Sequence, residues 1–267
     1  AHYPLEFMVA VINNFGGFYQ SWVYFNEARR YGAKIALPCV NKGELMTSII
    51  ENVIYIGFVH VASLEKKLVG KIISEREKNG EYLNLEDFVD RVVPGPEQLI
   101  LLIRIDAFRF TGISKVQLLW KAKLLKPKTN PVVLPKSLFP VKRKQFELPR
   151  LTQTLLEDAY DEMELLDFSV SMSSFDMLQT RFRGEIMASQ MMQHVGRKVR
   201  MLGNLVTTKY VWTSKQDIMQ FGTFFDCEGE FFDSVNFPPS LKIYPFKGRG
   251  IYLILGTITE EFGHPGI

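Results

Sequence analysis

Apolar positions recur every three to four residues over most of the first 125 positions and every second residue after Arg197, which predicts helices first and strands last. PLEFMVAVI opens on Pro4, harmless at a helix start because the first N–H has no intrahelical partner, and stops at Asn13-Asn14 with Gly16-Gly17 beyond. YQSWVYFNEARRYG sets Trp22, Phe25, Ala28 and Arg29 at helical spacing and ends at Gly32. Short strands are expected in AKIALPCVNKGE and in Val53–Phe58. SLEKKLVGKIISERE then puts Leu64, Leu68, Ile72 and Ile73 on one helical face, with Ser63 as N-cap, Lys66 at N3 and Gly80 as the stop. A helix capped by Asn84 follows, with acids in its first turn where the helix dipole favours them, then helices in GPEQLILLIRIDAF and TGISKVQLLWKAKLL. Short helices joined by tight corners in repeated order describe a helix-hairpin-helix array.

The pattern changes between Lys126 and Arg150. Five prolines interrupt any helix, and seven basic residues face one acid, a local charge of +6. This stretch predicts a linker or extended crossing segment. LLEDAYDEMELLDF follows as an acidic amphipathic helix with its acids on the solvated face, and SSFDMLQTRFRG as a shorter helix capped by Ser173 or Ser174. From there the order is strand, strand, a corner at Gly229, strand, a helical piece in PPSLKIYPF, and strand, the order of an OB-fold barrel. The expected fold class is multidomain, α then β. A fifth barrel strand is expected and the sequence reaches Ile267 first, which predicts a fragment lacking that strand.

Composition narrows the classes. At 267 residues, two or more modules are expected. No apolar run approaches the ~20 residues of a membrane span, and the first residues carry no basic leader or cleavage site, so a cytoplasmic protein without membrane contact is expected. Two cysteines, Cys39 and Cys227, lie far apart without a partner motif, against a disulfide framework or zinc site. The net charge of +3 does not by itself indicate nucleic-acid binding.

Five segments in order carry a family resemblance: YPLEFMVAVINN, EARRYGAKIALPCVN, IISEREKNGEYLNLEDFVDRV, LIRIDAFRFTGISKVQLLW, and VRMLGNLVTTKYVWT with MQFGTFFDCEGEFFDSVNFP. Together they resemble the C-terminal part of bacterial replicative DNA polymerase III alpha subunits (C-family polymerases), in the variant found in Bacteroidetes. The resemblance covers nearly the whole chain. It implies the end of the polymerase fingers at 1–52, a tandem helix-hairpin-helix domain at 53–125, a basic linker at 126–150, connecting helices at 151–194 and an OB-fold at 195–267. It also implies a parent enzyme that performs template-directed DNA synthesis with Mg2+ in a palm domain. No palm is recognisable in this sequence, so no catalytic residue, metal or cofactor is expected in the chain, and the chain alone is expected to be inactive.

The candidate sites follow from the resemblance and the local chemistry together. At the first corner Ser63, Lys66, Lys67 and Lys71 surround a helix N-terminus, where backbone N–H groups and the helix dipole favour a phosphate; family glycines are missing there and Glu65 opposes an anion. The second corner keeps Thr111, Gly112, Ser114 and Lys115, with Arg109 either assisting or packing on Phe108 and Phe110. In the barrel, a loop between the first two strands carries Lys209, Tyr210, Trp212 and Lys215, with Arg200 upstream, suited to stacking bases and holding backbone of a single-stranded template. In the linker, Leu138 and Phe139 match the end of the family's clamp-binding peptide, although Pro135 stands where glutamine is usual. The expected partners are primer-template duplex, single-stranded template, the sliding clamp and other replisome subunits. Two rival readings are an OB-fold RNA-binding module and a replisome scaffold without direct nucleic-acid contact.

Overall fold

The computed structural model describes residues 2–15, 17–125, 153–214 and 216–267. Two compact units divide it in an order the sequence does not follow. One comprises Ala1–Asn13 and Ala33–Met172, the other Asn14–Gly32 and Ser173–Ile267. Packing therefore separates the first two helices, which the sequence places in one segment.

In the first unit, α1 (Pro4–Asn14) precedes a small sheet of β1 (Lys34–Ala36), β2 (Ser48–Ile50) and β3 (Val53–Tyr55). β3 is central, parallel to β1 and antiparallel to β2. Sequence reading missed β2, because its turn to β3 uses Glu51 and Asn52, both at positive φ (50° and 63°), in place of the glycine that usually signals such a hairpin. The Asn13 amide exchanges two hydrogen bonds with the backbone of Thr47, tying α1 to the loop ahead of β2.

Five helices follow: α3 (Lys66–Asn79), α4 (Leu85–Val92), α5 (Pro96–Arg104), α6 (Lys115–Leu124) and α7 (Leu155–Leu166), while α2 (Ser21–Arg30) belongs to the second unit. α3 buries Leu68, Val69 and Ile72, and Gly80 ends it at φ 79°. Asn84 caps α4 as its spacing predicts, its side chain accepting from Asp87 N at 2.8 Å. The core between these helices is aromatic. Phe88 meets Tyr82 and Phe108 edge-on at 5.0 and 4.9 Å, a favoured ring geometry. Burial pushes the Tyr82 phenol up to about 12, and its O–H donates to Ile72 O.

The second unit is built on a six-stranded sheet in the order β7-β4-β5-β6-β9-β8. Its strands are β4 (Lys198–Trp212), β5 (Ile218–Phe225), β6 (Phe231–Asn236), β7 (Ile251–Thr257), β8 (Thr259–Glu261) and β9 (His264–Gly266), with α8 (Pro238–Ile243) between β6 and β7. All pairings are antiparallel except β6 with β9. β8 continues β7 after the fully buried Ile258, so pairing returns through one bend towards the strand it began from. The curled, mixed sheet is consistent with an OB-fold. The expectation of a missing last strand is corrected: β9 occupies that place, short but paired to β6 at Asp233–Gly266. Its interior stacks Phe224 on Phe232 at 5.4 Å, and Gly203 is required there because a Cβ would lie 2.6 Å from the Phe232 ring.

The helix expected in SSFDMLQTRFRG does not form. Ser173 turns the chain instead, its hydroxyl accepting from Phe175 N and its carbonyl from Asp176 N, the local competition with helix to which serine is prone. None of the described helices is long and apolar enough to cross a membrane.

Candidate nucleic-acid interface

The two hairpin corners are copies of one design. Each follows a 3-10 turn, Phe58–His60 or Arg109–Thr111, and each passes through a left-handed residue, Ser63 at φ 61° or Gly112 at φ 66°. Ser63 and Gly112 lie 49 positions apart, as do Lys66 and Lys115, the first residues of α3 and α6. Ser63 thus takes the glycine's conformation. It is not the N-cap expected from the sequence; Glu65 holds that position and gives no side-chain cap.

What holds a serine left-handed is Gln98 of α5. Its amide donates to Ser63 O at 3.1 Å and accepts from Glu65 N at 2.9 Å, closing the corner from outside the hairpin. No sequence signal marks Gln98 for this role. Beyond the corner, Ser63, Lys66, Lys67 and Lys71 are all exposed. No side chain caps α3, so its first-turn N–H groups are left without a side-chain acceptor at the end of the helix that carries Lys66 and Lys67, an arrangement that suits an anion.

At the second corner Gly112 and Ser114 are exposed and Thr111 half-buried. Ser114 caps α6 through Gln117 N, and Thr111 Oγ1 donates to Phe108 O. Lys115 is placed elsewhere. It is 7% exposed, and its ammonium donates to Arg104 O at 3.0 Å and pairs with Asp158 at 2.5 Å and Asp161 at 3.2 Å. The expectation that Lys115 faces a phosphate is corrected: its charge is neutralised internally and fastens α7 against α5 and α6. Arg104 reinforces the same junction through Asp161 and Glu164, and the Glu164 hydrogen bond is the main cause of its strongly raised pKa. The expectation that the acids of α7 form a solvated face is corrected for Asp158, Asp161 and Glu162, while Glu157 and Glu164 are exposed. Glu162, 1% exposed, accepts from Ser169 Oγ, Val170 N, Ser171 N and Ser171 Oγ and organises the turn after the helix.

Arg109 neither assists the corner nor simply packs on its phenylalanines. Its guanidinium donates to Leu37 O and Pro38 O at 2.8 Å each. Arg76 does the same to Val40 O and Gly43 O, and Asn41 exchanges two bonds with Tyr82. The ALPCVNKGE segment is thereby a clasped structural loop.

In the second unit Lys209, Tyr210 and Trp212 lie not in a loop but on β4, a correction that follows from the length of that strand. They pair with Phe221, Gln220 and Ile218 of β5. β6 stops opposite Gln220 and β7 opposite Asn204, so the ends of β4 and β5 continue as a two-stranded ribbon. Tyr210 and Trp212 share one face of it, as residues two apart on a strand must, and are 61% and 68% exposed. Arg200 is exposed but engaged: it pairs with Glu185 at 2.7 Å and lies over the Phe182 ring at 5.4 Å. The Glu185 carboxyl is held below its ordinary range, first by the Arg200 backbone N–H. Lys215, Leu138 and Phe139 fall outside the described residues. Among the described residues no group of three or more His, Cys, Asp or Glu side chains could hold a metal ion.

Comparison with known proteins bears on these corners directly. Residues 32–118 match a helix-hairpin-helix motif model, a span that contains both corners. The error-prone DNA polymerase of Mycobacterium tuberculosis is 31% identical over 125 residues, 45% of this chain and 11% of that one. DNA polymerase III alpha subunits of Treponema pallidum and Saccharopolyspora erythraea are 27% and 30% identical over 122 residues, 44% of this chain and 10% of each of theirs. The chain is homologous to the C-terminal part of bacterial polymerase III alpha subunits. The match spans about a tenth of the length of these curated relatives. In this chain the strands β4 to β9 follow the matched helix-hairpin-helix region, the order that the sequence resemblance implies.

Proposed function

We propose that this chain is a DNA-holding region of a polymerase III alpha-type DNA polymerase, gripping duplex by its backbone phosphates and single-stranded template on the β4–β5 ribbon. The observation that carries the reading is the first corner: an uncapped helix N-terminus beside three exposed lysines, within a matched helix-hairpin-helix region. Contacts of this kind position a duplex without reading base edges. Two unrelated duplex sequences are therefore expected to bind equally in fluorescence anisotropy, with affinity falling steeply as salt rises. Lys66→Glu, Lys67→Glu and Lys71→Glu together should weaken duplex binding at least ~10-fold and reduce the log–log salt slope by about 0.9 for each phosphate no longer neutralised. All three side chains are exposed, so the melting temperature should hold. Equal affinity of the triple variant and the parent chain would overturn the assignment of this corner.

The ribbon supports the single-strand part of the reading. Two exposed aromatic rings on one face match the needs of base stacking, with Lys209 on the opposite face of the same strand to attract the backbone, and a stacked base contributes about 1–3 kcal/mol. Tyr210→Ala with Trp212→Ala is expected to weaken binding of a dT oligomer about 10-fold or more, leaving duplex binding intact. Competition by tRNA as strong as by single-stranded DNA would favour an RNA-binding module instead.

Template-directed synthesis and its Mg2+ belong, in this reading, to palm carboxylates of the parent polymerase, and this chain alone is expected to incorporate no nucleotide. The sliding clamp enters through Leu138 and Phe139, and other replisome subunits through the basic linker.

A further inference from the structure

The hairpin joining β8 to β9 turns on two residues, Phe262 at φ 54° and Gly263 at φ 82°. Two consecutive positive φ values between antiparallel strands make a type I′ turn, whose first central position selects asparagine, aspartate or glycine. Phenylalanine is the opposite of that selection. A bulky side chain in left-handed conformation is a backbone outlier, and here its ring is 99% exposed. Neither packing nor turn chemistry explains the residue: the fold disfavours it once for its backbone and again for its apolar surface. The turn is also held in place, Gly263 N donating to Glu260 Oε1 at 2.5 Å, while the register Glu261–His264 and Thr259–Gly266 ties the hairpin to β6 through β9. Residues kept in unfavourable conformations against local preference concentrate at functional positions.

We propose that Phe262 is an anchor presented at the hairpin tip for insertion into an apolar pocket with a basic rim on a protein partner. The surrounding charge selects that chemistry. Glu260 and Glu261 precede the ring, and the exposed Asp233 lies opposite Gly266 on β6. Carboxylates so placed repel a phosphate backbone, which sets this surface apart from the lysine-bearing ribbon, and they attract arginine or lysine around an apolar cleft. A single aromatic ring in a pocket, ringed by complementary charge, is how compact interfaces concentrate their binding energy. This surface is independent of the DNA-holding reading and stands or falls separately.

The test separates stability from binding. Phe262→Asn is expected to raise the melting temperature by about 2 °C, because asparagine suits the turn; a lowered melting temperature would make Phe262 a structural residue and overturn the proposal. In the 267-residue chain, p-benzoylphenylalanine at position 262 is irradiated in an extract of the source cells and the crosslinked peptide is sequenced. The expected product is a peptide bearing arginine or lysine beside apolar residues, from a protein that, once purified, binds the Phe262→Asn and Glu261→Lys chains at least ~10-fold more weakly than the parent chain. Adducts with nucleic acid, crosslinks within this chain, an acidic peptide, no crosslink, or unchanged affinity of the two variants would each overturn it.

Discussion

Replacing Lys115 with alanine is expected to destabilise the helical unit by about 3 kcal/mol and to leave the duplex binding proposed for the first corner unchanged. The ammonium joins three groups: the last carbonyl of α5 and the carboxylates of Asp158 and Asp161, which also accept from Gln153 and Arg104 respectively. Deleting one partner of a buried ion pair strands the other, at about 3–5 kcal/mol. The lower end applies because Arg104 still holds Asp161 at 2.7 Å, and because both carboxylates keep some access to water. Lys66, at the equivalent place in the first hairpin, has no such role, and its replacement by alanine should fall within about 0.5 kcal/mol. Urea unfolding of the two variants tests the asymmetry. If Lys115→Ala unfolds with the parent chain while its duplex affinity drops, the lysine is a phosphate ligand after all and the internal role assigned to it is wrong.

That contrast shows where the sequence is legible and where it is not. Periodicity locates the helices of the array and the long strands, since each buries one face and must repeat at its own pitch. Caps with a local chemical logic are readable too: Asn84 before two acids, Ser114 after Gly112. Lys66 and Lys115 have the same local setting, a lysine at a helix start behind a tight corner. Only tertiary packing distinguishes them, because α7, about 40 residues downstream, brings its acids to one and not the other. The same limit explains Gln98. A glutamine in the first turn of α5 has no local signature, yet it fixes the conformation of a corner 35 residues earlier. Strand length escaped for a different reason. Thr, Lys, Tyr and Trp in TTKYVWT are polar enough to suggest a loop, but a ribbon without a covering layer can expose both faces, so alternation of burial fades while the ladder continues.

Phe25→Ala should have its effect far from where the sequence places it. α2 reads as part of the segment ahead of the helical array, but residues 14–32 pack within the sheet unit. Trp22 meets the ring of Phe225 at 5.6 Å, Tyr19 meets Phe231 at 6.3 Å, and Arg30 pairs with Glu230 at 2.6 Å, so the helix is seated on the β5–β6 hairpin. Gly229 in that hairpin allows the approach: a Cβ there, already strained at φ 81°, would lie 3.2 Å from Asn26. Phe25 is fully buried on α2 and its truncation should cost about 3–5 kcal/mol through lost transfer energy and the cavity left behind. Because the loss belongs to one unit, hydrogen exchange should accelerate by roughly 100-fold or more in the amides of β4, β5 and β6, while those of α4 and α5 keep their protection. Acceleration confined to α3–α6, with the sheet still protected, would place α2 with the helical array and refute the division into these two units.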